Sequence, residues 1–277
     1  MSSSEIRKIL KVDPQLTNLY NMSSSELQQI LQINSDKMKL VLQEFSKVNV
    51  KKLLSLYKSR NIHYMTYFDS EYPYMLKEIY NPPLCLFYIG NKTLLERPAL
   101  AVVGARDASL EAFHSINMIL PGLIKENIVI VSGLAKGTDT IAHERAIANG
   151  GKTIAILGGG FFHLYPSENK ELANVIAREH LLLSEYPPLW KPEKWYFPMR
   201  NRIISGLSIG TLVIQAKKRS GSLITADMAL ESGREVFAIP GPITETLSEG
   251  TNHLIQQGAK LVTNSSDILE ELQLDMF

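Results

Sequence analysis

Val131-Ser132-Gly133-Leu134-Ala135-Lys136-Gly137-Thr138-Asp139 ends a short apolar run and passes through two glycines into a stretch of helical patterning over 138–149. An apolar run of this length, stopped by glycine and resumed as a helix, is the strand–turn–helix unit of a parallel sheet. The unit recurs along the chain. Runs rich in Val, Ile and Leu occupy 100–103, 128–131, 153–157, 181–184, 211–215, 235–239 and 260–262. Helical patterns fall near 109–125, 138–149, 168–178, 200–207, 223–232, 250–257 and 266–272. Short strands without polar alternation are covered on both faces. Residues 61–277 are therefore predicted to form an extended Rossmann-like domain, a doubly wound, mainly parallel α/β sheet.

Upstream, residues 1–60 read as a small all-α domain. Ser2 with Glu5, and Ser23 with Glu26, have capping-box spacing. Apolar stripes follow at helical spacing: Ile6, Ile9, Leu10; Leu27, Ile30, Leu31; Met38, Val41, Leu42, Phe45; Val50, Leu53, Leu54, Tyr57. These stripes are expected to be core. Between the two parts, residues 62–95 read as a bridge with strands at 62–68 and 84–89 and a short helix between prolines.

The 277 residues carry a net charge of +1, unevenly placed. Residues 1–60 hold 10 Lys and Arg against 5 Asp and Glu, and the remainder holds 19 against 23. The larger domain cannot attract a polyanion by overall charge, so binding there requires a local patch. No apolar run is long enough for a bilayer. The first residues have no basic stretch followed by an apolar one, so no signal peptide is expected. The single cysteine, Cys85, lies in an apolar run and reads as an inert thiol. A cytoplasmic protein is the expectation.

Four strand ends run into glycine: Val103-Gly104-Ala105-Arg106, Ser132-Gly133 with Lys136, Gly158-Gly159-Gly160, and Gln215-Ala216-Lys217-Lys218-Arg219-Ser220-Gly221-Ser222. Glycine lets backbone N–H groups approach an anion, and the helix that follows adds partial positive charge. On one sheet edge these turns make an anion-binding rim. Lys191-Pro-Glu-Lys-Trp-Tyr-Phe-Pro-Met-Arg-Asn-Arg202 adds two lysines, two arginines and three consecutive aromatics, with Pro198 opening a helix. Cations that track phosphates beside rings that stack on bases suit an unpaired nucleic acid strand. Neither G-x-G-x-x-G after the first strand nor G-x-x-x-x-G-K-[ST] is present, which disfavours a dinucleotide coenzyme or a P-loop nucleotide.

Catalytic equipment is sparse. The six histidines lack metal-ligand spacing, and His143 reads as a packing or capping residue. Asp139 and Glu144 could pair, but a carboxylate at a helix start answers the dipole without catalysis. The expectation is a binding protein with no metal and no cofactor, not an enzyme.

These residues together resemble the DprA/Smf family of DNA-processing proteins. The likeness rests on Tyr72-Pro, Asn81-Pro-Pro-Leu, Val102-Val-Gly-Ala-Arg106, Ser132-Gly-Leu-Ala-Lys-Gly-Thr-Asp-Thr-Ile-Ala-His143, Tyr165-Pro-Ser-Glu-Asn169, Leu183-Ser-Glu-Tyr186, Phe197-Pro-Met-Arg-Asn-Arg-Ile-Ile-Ser-Gly206, Arg219-Ser-Gly-Ser-Leu-Ile-Thr225 and Val236-Phe-Ala-Ile-Pro-Gly241. The helical part resembles the sterile-alpha-motif-like domain of some members, and the winged-helix domain of others is not expected after residue 277. The family's first turn usually has Ser or Thr where this chain has Ala105. The resemblance implies cooperative binding and protection of single-stranded DNA, loading of the recombinase RecA in natural transformation, and a homodimer built through the C-terminal part of the Rossmann domain. It implies a strand-binding set of Gly104, Arg106, Ser167, Lys194, Phe197, Arg200 and Asn201. The turn reading adds Ser132, Gly133 and Lys136. In this reading Arg106 and Lys194 pin phosphates, Phe197 stacks on a base with Trp195 or Tyr196, and at least one residue of 200–202 braces the pocket.

Two rival readings remain. One is a Rossmann-like nucleotide N-glycosidase of the lysine-decarboxylase-like group, acting on nucleoside monophosphates. The glutamate ending that group's late glycine motif has no counterpart in Ser220-Gly-Ser-Leu-Ile-Thr-Ala-Asp-Met228. The other is a scaffold that recruits a recombinase and contacts no DNA.

Overall fold

The computed structural model describes residues 3–19 and 21–272. The chain divides into two compact units, Met1–Ile62 and His63–Phe277. The first holds helices α1 (Ser3–Val12), α2 (Ser24–Leu31), α3 (Ser35–Lys47) and α4 (Val50–Ser59). The Ser23–Glu26 capping box forms: the Glu26 N–H donates to Ser23 Oγ, and the Glu26 carboxylate accepts from the Ser23 N–H at 2.7 Å. Ser2 lies outside the described residues. Asn34 and Asn49 cap α3 and α4 in the same way, accepting from the N–H groups of Lys37 and Lys52. Ile9, Leu27, Leu31 and Met38 form the core of this unit. The expectation that all four stripes are core is corrected here, because Leu42, Phe45, Val50 and Leu54 are exposed. A unit this small has too little interior for every apolar side chain.

The second unit is built on a nine-stranded sheet in the order β1-β2-β6-β5-β4-β3-β7-β8-β9. Its strands are β1 (His63–Thr66), β2 (Cys85–Gly90), β3 (Ala99–Val103), β4 (Val129–Ser132), β5 (Thr153–Leu157), β6 (Leu181–Ser184), β7 (Gly210–Val213), β8 (Glu235–Ala238) and β9 (Lys260–Leu261). From β6 to β9 all neighbours are parallel. The two strands of the bridge join the same sheet, with β1 antiparallel to β2 and β2 antiparallel to β6. The helices are α5 (Tyr74–Lys77), α6 (Leu110–Lys125), α7 (Thr138–Ala148), α8 (Lys170–Glu179), α9 (Tyr196–Gly206), α10 (Gly221–Glu231), α11 (Glu249–Gln256) and α12 (Ser265–Leu272). Helix α9 begins two residues before Pro198, which its first turn tolerates because those N–H groups have no intrahelical acceptor. Cys85 sits in β2, where burial pushes its thiol up to about 12.

Alternation along the central strands shows why both faces are apolar. Ala101 and Val103 enter one core with α9, α10 and α11, while Leu100 and Val102 enter the opposite core with α6, α7 and α12. Strand β4 divides likewise, Val129 and Val131 against Ile130. The chain leaves β3 through β4, β5 and β6 on one side and returns through β7 on the other. The crevice beyond the carboxyl ends of β3 and β7 is therefore the topological switch point, where open α/β sheets take their ligands.

His143 on α7 is a packing residue, as its context suggested. Its Nδ1 lies 2.7 Å from Thr153 Oγ1, and that hydroxyl donates to Ile130 O at 2.7 Å. The one hydroxyl proton is already engaged, so Thr153 accepts from Nδ1–H and the imidazole is neutral. Nε2 is buried without a partner. Burial first, then Arg200 and His180, hold the His143 pKa down to about 3. The unfolded chain takes up this proton below about pH 6.5 and the folded chain does not. The contribution is complete above that pH and is lost as pH falls toward 3. Urea midpoints should drop between pH 7 and pH 5, and by less in His143→Asn, which keeps a donor for Thr153 but does not titrate. Parallel drops in the two proteins would contradict this.

Candidate nucleic-acid interface

A cleft of about 400 Å³ opens at the switch point, lined by the turn after β3, the first turns of α9 and α10, and Asp139 of α7. Gly104 brings the β3 turn against α7, since a Cβ there would stand 2.5 Å from Thr138 Oγ1. The contact is sealed by Ala105 O, which accepts from Thr138 N at 3.0 Å and Thr138 Oγ1 at 3.1 Å. Ala105, in the place of the family's hydroxyl residue, is buried. Arg106 is exposed, lines the cleft, and has no ion pair among the described residues. Opposite, Ser220, Gly221 and Ser222 line the start of α10. Ser220 caps no N–H there and instead shares a hydrogen bond with Ser222 at 2.9 Å. The first turn of α10 thus lines the cleft with N–H groups that Ser220 does not cap, a favourable place for an anion. Of the 217–219 cluster, Lys217 lines the cleft and pairs with Asp107 at 2.6 Å.

Arg200 departs from the sequence expectation. It is 4% exposed, and Nη1 donates to Gly133 O at 2.5 Å and to Ile156 O. Its guanidinium ties the end of β5 to the turn after β4 from beneath the cleft. Burial lowers its pKa to about 10, and Asp139 opposes the shift. Asp139 is itself buried, which raises its pKa against the pull of Arg200 and of two N–H donors, Gly133 at 3.1 Å and Ala135 at 3.3 Å. Gly133 is required by this tie, because a Cβ would stand 2.4 Å from the guanidinium. The expected roles of Ser132 and Gly133 are corrected accordingly. Ser132 is buried with its hydroxyl donated to Val102 O at 2.6 Å, and the Gly133 N–H goes to Asp139 rather than to a ligand. Asn201 joins the brace, accepting from Arg200 Nε at 3.3 Å and donating to Gly221 O at 3.2 Å at the start of α10. Arg202 is held in a buried pair with Glu185 at 2.7 Å.

Phe197 is half-buried and lines the cleft. Its ring lies along Gly158, and the ring of Tyr165 approaches with centroids 5.6 Å apart and planes 59° apart. Tyr196 is buried, stacked on Tyr186 at 3.8 Å, so it offers no face to a base. Trp195 is 62% exposed but packs edge-on against Tyr196. Lys194 is exposed and lies outside the cleft lining. Ser167 is exposed and hydrogen-bonds Glu168 at 3.3 Å. Lys136 is exposed and ion-paired with Glu168, a pairing that raises its pKa and that a phosphate can displace, since exposed pairs are weak. The structure thus brings Gly104, Arg106, Phe197, Arg200 and Asn201 to one cleft, with Gly133 and Lys136 beside it. Sequence reading missed Asp139 as the partner that fixes the turn and Tyr165 as the neighbour of Phe197. The carboxylate six residues after Gly133 was the available signal for the first. Among the described residues no cluster of His, Cys, Asp or Glu is placed to hold a metal, and no helix is long and apolar enough to cross a membrane.

A doubly wound sheet with a cationic, aromatic crevice at its switch point defines a Rossmann-like α/β protein. Residues 63–273 match the family of DNA recombination-mediator protein A. DNA processing protein DprA of Streptococcus pneumoniae is 54% identical over 205 residues, covering 74% of this chain and 72% of the relative. A solved DNA processing protein A from the same species superimposes with a TM-score of 0.85 at 43% identity, over 98% of this chain and 93% of that one. A second, from Helicobacter pylori and described for its single-stranded DNA binding mode, gives 0.69 at 31% identity over 77% and 97%. The chain belongs to the DprA/Smf family of DNA-processing proteins.

Arg200→Met should lower folding stability by on the order of 3 kcal/mol, because two buried carbonyls and Asp139 lose their partner. Arg106→Ala should leave stability unchanged. Chemical denaturation of the two variants separates the brace from the surface cation, and equal stability losses would contradict the assignment.

Proposed function

We propose that this protein binds single-stranded DNA in the switch-point cleft and does not alter it covalently. One observation carries the reading: an exposed arginine that has no ion pair among the described residues and a half-buried phenylalanine ring line the same opening. Phosphates settle between Arg106 and the first-turn N–H groups of α10, and Phe197 offers a ring face to a base. Lys136, released from Glu168, adds a second cation, and Lys194 guides the strand from outside the cleft. Arg200 and Asn201 hold the walls rather than the ligand. A duplex keeps its base faces stacked inside and cannot use Phe197.

Family membership supports the finer parts of the reading: protection of the strand, loading of a RecA-type recombinase onto it, and action as a homodimer whose two clefts share one strand with a gain in avidity. It also favours strand binding over nucleotide N-glycosidase chemistry.

Fluorescence anisotropy with a labelled oligothymidylate and its duplex tests the reading. The single strand should bind far more tightly. Phe197→Ala should cost about 1–3 kcal/mol of binding, a loss of roughly five- to 150-fold. Arg106→Ala should weaken binding and flatten the dependence of log K on log salt by about 0.7 for the one phosphate contact removed. Equal affinity for single strand and duplex, or wild-type affinity in both variants, would overturn the reading.

A further inference from the structure

We propose that Tyr165 is a second base-stacking platform, which with Phe197 holds two successive bases splayed apart. The inference rests on the strand-binding reading of the cleft. Tyr165 is 56% exposed, and among the described residues its hydroxyl makes no hydrogen bond. Among the described residues its ring contact is with Phe197, and at 59° between planes the rings diverge instead of stacking on each other. Each therefore keeps a face for a ligand. The opening between them is shared with Arg106 and Lys136, so the rings meet where phosphate charge would lie.

The loop that carries Tyr165 is tied to the anion turn. Asn169 is buried, and its amide donates to Leu134 O at 2.9 Å and to Thr140 Oγ1 at 2.8 Å. Lys136 and Glu168 bridge the same two segments. A ring held in place before binding loses little freedom on stacking, which favours affinity. An exposed, pre-positioned aromatic beside cations fits a base with its face free, and the divergent planes require neighbouring bases to unstack from each other. The ligand class is a flexible unpaired strand, and a pre-stacked one fits poorly.

The test uses the full chain with oligothymidylate carrying 5-iododeoxyuridine at single positions. Irradiation followed by peptide mass spectrometry should place cross-links from adjacent nucleotides on Phe197 and Tyr165. In titrations Tyr165→Ala should weaken single-strand binding about tenfold or more, and Tyr165→Phe should bind like the parent protein, because the ring and not the hydroxyl is used. Thermal melts of both variants should match the parent. Wild-type binding by Tyr165→Ala, alongside losses in Phe197→Ala and Arg106→Ala, would overturn this proposal and leave the cleft reading intact. Equal losses in Tyr165→Ala and Tyr165→Phe would overturn it in favour of a hydroxyl contact. Wild-type binding in all four variants would sink the cleft reading itself.

Discussion

The buried guanidinium of Arg200 is the constraint on which the interface depends. Its hydrogen bonds to Gly133 O and Ile156 O join two strand ends that the sheet alone would leave as separate turns. Asp139 answers the charge and at the same time holds the turn through the N–H groups of Gly133 and Ala135. With both turns fixed, α9 has one seat, and Phe197 is carried to the mouth of the cleft instead of into the core. A charge this deep is costly unless paired and hydrogen-bonded. The two carbonyls, Asp139 and the missing Cβ of Gly133 are what make it tolerable.

A second consequence concerns charge. The described sheet unit belongs to a part of the chain with more carboxylates than cations, so long-range attraction for DNA is weak there. The cleft compensates locally. Its cations are arranged with different availability: among the described residues Arg106 stands without an ion pair, while Lys136 and Lys217 are held by Glu168 and Asp107. Such pairs restrain the lysines near the rim and release them at little cost. On the proposed reading, affinity comes from geometry at the switch point more than from net charge.

The fold was largely legible because its signal is periodic. Both-face burial leaves strands such as Leu100–Val103 and Thr153–Leu157 without polar residues, and glycine marks where each stops. The residues that line the cleft were legible in part. Arg106 stood out as a cation at the end of β3, and Phe197 as a ring in the cationic stretch 191–202 that leads into α9. A brace among residues 200–202 was expected, but not that Arg200 supplies it, because an arginine at a helix start looks the same in sequence whether it points at solvent or beneath the sheet. Ser132 and Gly133 read as ligand donors because glycine at a strand end lets N–H groups approach an anion, and only the fold shows that the Ser132 hydroxyl is engaged by Val102 O and the Gly133 N–H by Asp139. Tyr165 was hidden for another reason: its partner lies 32 residues away, and only the loop tied down by Asn169 brings the two rings together. The exposed leucines of the helical unit were misread because spacing reports a helix face and not how much interior is available to bury it.

The central claim is that an unpaired strand lies in the cleft with a phosphate beside Arg106 and a base against Phe197. A crystal structure of this protein with a short oligothymidylate tests it most directly. The account predicts continuous density through the switch point, with a phosphate within hydrogen-bonding reach of Arg106 and a base in van der Waals contact with the Phe197 ring. A strand bound on another face, with the cleft holding only solvent, would contradict it.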